Sequence, residues 1–242
     1  LFATIVYMAG GVLGMFHHLY FSGTTTAAVA LGSTFSALEV VPLALIGLEA
    51  YETWGHSRAT PWMARYRWPI MFFLAVSFWN LVGAGLLGFL INTPIALYFM
   101  QGTNLTAAHG HTALFGVYGM LGIGLMLYCL RSLKPDVVWR EGLLRSGFWA
   151  LNIGLGLMTV LTLLPMGVLQ LEANIEHGYW FARSAEFMDR PIIDVLVWLR
   201  TPADIIFAVG ALLVATMVAS LWLAPGRPRV DAGSEAQAGN QA

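Results

Sequence analysis

Two histidines two residues apart, His109 and His111, flank Gly110 at the start of an apolar run that continues to Leu130. An α-helix turns about 100° per residue, so side chains two apart leave it about 200° apart, on opposite faces. One metal ion cannot easily take both imidazoles. Two flat metal-bearing groups, one packed against each side of the helix, can. The plain alternative is a pair of polar histidines, each satisfied by a neighbouring hydroxyl or carbonyl. Against it stands the cost of placing ionisable side chains inside a membrane, where they are rare and usually functional.

A second pair, His17-His18, follows Gly10, Gly11 and Gly14. Adjacent histidines diverge by about 100° on a helix, but at a helix exit, where the backbone turns, both can reach one ion lying off the end. Neutral imidazole suits iron, copper or zinc, and such an ion needs at least one further ligand from elsewhere. Two interfacial histidines facing lipid headgroups are the competing reading. Glu39 is the only acid deep within an apolar span, in the run Ser33-Thr34-Phe35-Ser36-Ala37-Leu38-Glu39-Val40-Val41-Pro42. A lone carboxyl there is expensive unless it is paired, protonated or near a metal, which suits it to proton transfer. A neutral, hydrogen-bonded structural carboxyl is its alternative.

Weaker features complete the set. Asp204, preceded by Arg200, reads as a helix-start acid near the outer interface, with Arg200 four residues earlier as its pairing partner. His177 and His56 read as solvated residues. The glycines Gly83, Gly85, Gly88, Gly116, Gly119, Gly122 and Gly124 allow close helix packing, and equally let a flat macrocycle lie against backbone. Asn80 reads as an interhelical hydrogen-bonding residue.

The elements that carry these residues are membrane helices. Of the 242 residues 58% are hydrophobic and only 10% charged, with mean hydropathy +0.70. A soluble chain of this size needs more polar surface than that. Several runs reach the ~20 apolar residues that cross a hydrocarbon core. Six spans are expected, bounded at about Leu1–Phe16, Thr26–Glu49, Trp68–Ile91, Leu105–Leu130, Gly147–Leu171 and Val197–Leu223, in an all-α polytopic bundle. Pro42 and Pro165 are expected as tolerated kinks. Residues 224–242, rich in Gly, Pro, Ala and Gln, read as a disordered tail. Cys129 is the only cysteine, so neither a disulfide nor a thiolate metal site carries the structure. The chain opens at Leu1 inside an apolar run, without a signal pattern, and reads as the C-terminal part of something longer.

Lys and Arg concentrate in the second-to-third loop (Arg58, Arg65, Arg67), the fourth-to-fifth loop (Arg131, Lys134, Arg140, Arg145) and the tail (Arg227, Arg229). Positive residues stay inside, so these lie on the cytoplasmic side, with the tail cytoplasmic. The fifth-to-sixth connection, with Arg183, Arg190 and Arg200, is a mild exception because long connections weigh less. His17, His18, His109 and His111 then share one depth, in the outer half of the membrane. A net charge near −1 marks out no nucleic-acid partner.

This constellation resembles the haem–copper oxidase superfamily, over nearly the whole chain except the tail. The resemblance implies that the six spans match the second half of a twelve-helix core. It implies that His17 and His18 bind the non-haem metal of a binuclear centre. By the same resemblance His109 is the proximal ligand of a high-spin haem, and His111 an axial ligand of a low-spin haem. Within the superfamily, Gly32–Glu39 and Gly102–His111 look like the nitric oxide reductases, where the non-haem metal is iron. Phe16–Thr24 and Glu176–Arg183 look like their single-chain, quinol-oxidising branch. The implied cofactors are a low-spin haem b, a high-spin haem b3 and a non-haem iron, FeB. The implied reaction is 2 NO + 2 e⁻ + 2 H⁺ → N₂O + H₂O, in a bacterial inner membrane, with membrane quinol as donor. Glu39 then manages protons near the iron, and Asp204 matches an acid at the quinol site. The third iron histidine, an iron-bound glutamate and the second axial ligand of haem b are expected upstream of Leu1, in the other half of the same protein. A homodimer is a candidate assembly. The rival readings are an oxygen-reducing oxidase with copper for iron, a non-catalytic diheme electron-transfer subunit, and a transporter with Glu39 as a proton site.

Overall fold

A computed structural model describes residues 2–57 and 61–223. Every long element among them is helical, and no strand occurs among the described residues. Six helices follow one another: α1 (Phe2–Gly14), α2 (Thr26–Glu49), α3 (Arg67–Asn92), α4 (Asn104–Leu133), α5 (Glu141–His177) and α6 (Pro191–Leu223). The last five are long and apolar enough to cross a membrane, and a shorter apolar helix, Thr4–Leu19, completes the set. The all-α, multi-span expectation holds. Leu1, Arg58 and the tail from residue 224, including Arg227 and Arg229, lie outside the described residues. His56 falls within a helix, Val40–Ser57, rather than in a loop.

The last two helices overrun their expected limits. The α5 helix extends to His177, so His177 closes a helix and makes its side-chain contact with Glu176 at 3.7 Å. The α6 helix starts at Pro191, because proline is accommodated in a first turn whose N–H groups have no helical partner. Arg200 and Asp204 therefore sit inside α6, and the first-turn acid is Asp194. Asp204 is about 20 Å along the axis from Pro191 at 1.5 Å per residue. Its reading as a helix-start acid is overturned.

Packing is densest between α5 and α6, where small residues let the backbones meet. A Cβ on Gly154 would lie 2.7 Å from the Phe207 nitrogen, and one on Gly210 would lie 2.7 Å from the Leu151 nitrogen. Beside them a buried cluster of Phe72, Trp79, Met120, Leu144, Leu151, Leu155 and Met217 ties α3, α4, α5 and α6 together. Three π-helical segments interrupt the α-helical winding, at Asn80–Leu87, Leu114–Gly119 and Met158–Leu163. The third precedes Pro165, whose missing N–H leaves the carbonyl four residues earlier without its usual donor. The other two fall in glycine-containing stretches that border the histidines.

Candidate metal centre

The histidine-bearing start of α4 is fixed from two sides. The Thr103 hydroxyl accepts from the Leu105 N–H at 3.3 Å, an N-cap. From α5, Gln170 Oε1 accepts from the Asn104 N–H at 2.7 Å and from its amide Nδ2 at 3.1 Å. Gly167 lets the two helices approach, since a Cβ there would lie 2.5 Å from the Leu105 nitrogen. These contacts set both the depth and the rotation of His109 and His111.

The two rings then part. His109 turns towards α3 and donates from Nδ1 to the Gly83 carbonyl at 2.9 Å, in the π-helical segment of that helix. Its ring lies over Gly88, where a Cβ would come within 2.9 Å of Cε1. His111 instead donates from Nδ1 to Ala107 of its own helix at 2.8 Å. A carbonyl oxygen only accepts, so in each ring Nδ1 carries a proton, and in the neutral imidazole Nε2 is the nitrogen that keeps its lone pair. That is the arrangement a metal-binding histidine takes, with the remote nitrogen free and the near one oriented by a carbonyl.

On the other side of the site, α1 ends in a 3₁₀ turn, Met15–Leu19. This tightening brings the His17 and His18 rings together, their centroids 3.9 Å apart and their planes tilted by 40°. His17 donates from Nδ1 to the Gly14 carbonyl at 2.5 Å, so its Nε2 is likewise left for a ligand. Gly32 of α2 sits directly on this turn, with a Cβ there 2.6 Å from the His17 nitrogen.

Glu39 marks a break in α2, between Thr26–Leu38 and Val40–Ser57. The cause is Pro42, which has no N–H to give the Leu38 carbonyl and whose ring crowds it. At the break the Glu39 N–H bonds the Ser36 carbonyl at 3.2 Å. Gly10 and Gly14 of α1 make room for the carboxyl, since a Cβ on Gly10 would lie 2.7 Å from Glu39 Cγ.

His17, His18, Glu39 and His109 all line one cavity of about 290 Å³, shared with Ser36, Asn80 and Asn92. His111 does not line it. Four of the five strongest sequence candidates thus meet in one place, and the fifth leaves the same helix elsewhere. Asp204 lies apart, on α6, and forms an ion pair with Arg200 at 3.1 Å, the partner its spacing indicated. Among the described residues no cluster of three or more His, Cys, Asp or Glu side chains is close enough to hold a metal ion. What this chain offers a metal between α1 and α4 is two imidazoles, and these fit an ion that draws further ligands from elsewhere.

Residues 1–206 match the family model of cytochrome c and quinol oxidase polypeptide I. The chain belongs to the haem–copper oxidase family. It is also 30% identical over 219 residues to a nitric oxide reductase subunit from Stutzerimonas stutzeri. That match takes in 83% of this chain and 42% of the relative, so the chain spans less than half of the relative's length. Five helices long and apolar enough to cross a membrane, together with the family match, make the chain a multi-pass membrane protein.

Sequence reading passes over three residues at the site. Ser33, Ser36 and Asn92 form a buried polar knot: the Ser33 hydroxyl donates to the Asn92 carbonyl, and Asn92 Nδ2 donates to Ser36 Oγ at 3.0 Å. The only sequence signal is a single amide at the end of an apolar span. Its partners are 56 and 59 residues away in the chain, beyond the reach of spacing rules.

Proposed function

We propose that this chain is the C-terminal part of a quinol-oxidising nitric oxide reductase of a bacterial inner membrane, with its tail on the cytoplasmic side. The observation that carries the reading is the division of His109 and His111. One ring enters the cavity that holds His17, His18 and Glu39, the other does not, and each keeps Nε2 free. The name of the relative, a nitric oxide reductase, supports the choice of reaction.

His109 would hold a high-spin haem b3 and His111 a low-spin haem b, while His17 and His18 would hold the non-haem iron. When bound, these groups would supply the electrons and the metal sites at which two NO molecules are joined and reduced to N₂O and water. The protein's own contribution is positional. The Gly83 and Gly14 carbonyls lock His109 and His17 in one tautomer, so neither ring must reorient to bind. Glu39, at the break in α2, gives protons to the reacting nitrogen oxide on the cavity side. The apolar part of the lining, such as Leu43, Leu114 and Val117, keeps the cavity hospitable to an uncharged gas. Asp204, held by Arg200, belongs to the quinol site, and the upstream half of the protein completes both sites. The full-length protein is expected to work in the lipid bilayer, with NO as substrate and a homodimer as a candidate assembly.

The test is direct. Purified full-length protein should contain iron without copper, bind carbon monoxide when reduced, and form one N₂O per two NO with quinol as donor. Copper in the preparation, with rapid oxygen consumption, would make it an oxidase. Absence of any carbon monoxide response would make it an electron-transfer subunit.

A further inference from the structure

The cavity that holds the imidazoles continues along α1 and α4 towards their far ends. On α1, Tyr7, Gly10, Gly14 and His17 are spaced for one helix face. On α4, Gly110, Ala113, Leu114, Val117 and Tyr118 follow the same face pattern, and all five line the cavity, as Tyr7 does. Tyr7 therefore lies roughly 12–15 Å from His17 along one helix, and Tyr118 a similar distance from His109 along the other. The Glu39 carboxyl stands between the two ends. A Cβ on Gly10 would lie 3.0 Å from its Oε1, and one on Gly14 would lie 3.2 Å from it.

One turn beyond Gly10, Tyr7 is the next polar side chain on that face of α1. Its hydroxyl interacts with the hydroxyl of Tyr118 and also with the Glu39 carboxyl. Tyr118 stands near the midpoint of α4, Asn104–Leu133, so a belt of aromatic residues at the membrane surface does not account for it. A hydroxyl at that depth is costly without a partner. Packing does not call for the hydroxyls either, since Tyr7 is 37% and Tyr118 61% exposed.

We propose that Tyr7 and Tyr118 are positioning residues that return protons to Glu39 from the end of the cavity away from the imidazoles. Once Glu39 has given its proton to the nitrogen oxide, its carboxylate takes one from the Tyr7 hydroxyl. Tyr7 takes one from Tyr118, and Tyr118 takes one from water at the cavity's end. At each step one O–H bond breaks and another forms, and no electron moves. The net change is one proton carried from water to the carboxyl, and rotation of the two hydroxyls resets the chain. The inference rests on the nitric oxide reductase reading above, which it deepens by naming what recharges Glu39.

The experiment uses the full-length, haem-loaded enzyme with Tyr7→Phe, Tyr118→Phe and both together, each change removing only a hydroxyl. Infrared spectra follow the Glu39 carboxyl band after transfer to D₂O, with no NO present and at a pH low enough to protonate the carboxyl. Glu39→Gln identifies the band. Each single variant should slow deuterium exchange at that band by about tenfold or more, and the double variant no further, because links in series fail as a unit. Haem spectra should match wild type, while NO turnover falls by a similar factor at unchanged KM for NO. Exchange at the wild-type rate in either single variant overturns the proposal, and so do losses that multiply in the double variant. Should Tyr7→Phe lose its haems, Tyr118→Phe decides alone by the same band. A wild-type enzyme that does not reduce NO counts against the proposed function only, because the exchange is read without it.

Discussion

His109 donates from Nδ1 to the carbonyl of Gly83, 2.9 Å away on the neighbouring helix. This single bond fixes which nitrogen of the ring is free and which way the ring faces. His111, two residues on, is fixed by Ala107 of its own helix. The two orienting bonds have no atom in common, so the rings should fail independently.

Replacing them one at a time tests that independence. His109→Ala should abolish the high-spin haem spectrum and carbon monoxide binding while low-spin haem remains. His111→Ala should remove the low-spin signal instead. Equal loss of both haems in either variant, or loss of neither, would show that the rings do not serve separate groups. Optical and electron paramagnetic spectra of the purified full-length protein separate the cases.

Gly88 offers a finer probe of the same ring. A methyl group there would lie 2.9 Å from His109 Cε1, too close for either to stay in place. The ring is the softer partner, so Gly88→Ala should tilt it and weaken its grip on the high-spin haem. The expected result is partial loss of high-spin haem with low-spin haem intact. An unchanged high-spin spectrum would mean that the ring has room the structure does not give it.

How much of this is legible in the chain can be judged residue by residue. The opposite faces of His109 and His111 follow from helical winding alone, and six apolar runs announce six helices. Boundaries are harder: the starts of α5 and α6 lie in stretches that mix charges with apolar residues, and the polar start of α6 conceals its true beginning at Pro191. That is why spacing alone puts Asp204 at a helix end. The break at Glu39 is foreshadowed by Pro42, yet its place depends on how α1 packs against it through Gly10 and Gly14. Asn92 shows in the sequence only as an amide ending an apolar span, because its partners are two serines on another helix and not its neighbours.

Glu39 and Pro42 make a linked pair of predictions. Glu39→Gln removes the transferable proton but little volume, so both haems should stay and NO turnover should fall by about 10²-fold or more, the usual worth of a general acid. Pro42→Ala restores the missing N–H, lets α2 wind through residue 39 and carries the carboxyl away from its place. It should lower turnover less than Glu39→Gln does, with haem content unchanged. Normal turnover in Glu39→Gln would remove the proton role from this residue.

Asp204 and Arg200 pair at 3.1 Å across one turn of α6, with about two-fifths of each side chain exposed. An exposed i,i+4 pair contributes only about 0.3–0.5 kcal/mol, so the pair adds little to stability. Asp204→Ala should leave the melting temperature nearly unchanged and weaken quinol-driven NO reduction, raising KM for quinol. Artificial electron donors should still drive the enzyme at its normal rate. A matching loss with both donors would place Asp204 elsewhere than at the quinol site.

Glycine replacements in α5 and α6 should have opposite signs depending on what faces them. At Gly210 a Cβ would meet the Leu151 nitrogen at 2.7 Å and Ala150 Cβ at 3.0 Å, and backbone cannot step aside as a side chain can. Gly210→Ala should therefore destabilise the bundle by about 1–3 kcal/mol, the usual cost of overpacking. At Gly142, in the first turn of α5, nothing lies within 4 Å. Gly142→Ala adds only helix propensity, worth up to about 1 kcal/mol in a helix interior and less so near an end. Thermal loss of haem absorbance, followed in the same detergent, should occur at lower temperature for Gly210→Ala and at an equal or higher one for Gly142→Ala. If both variants melted alike, the contact between α5 and α6 would not be the close backbone approach that holds α6 in place.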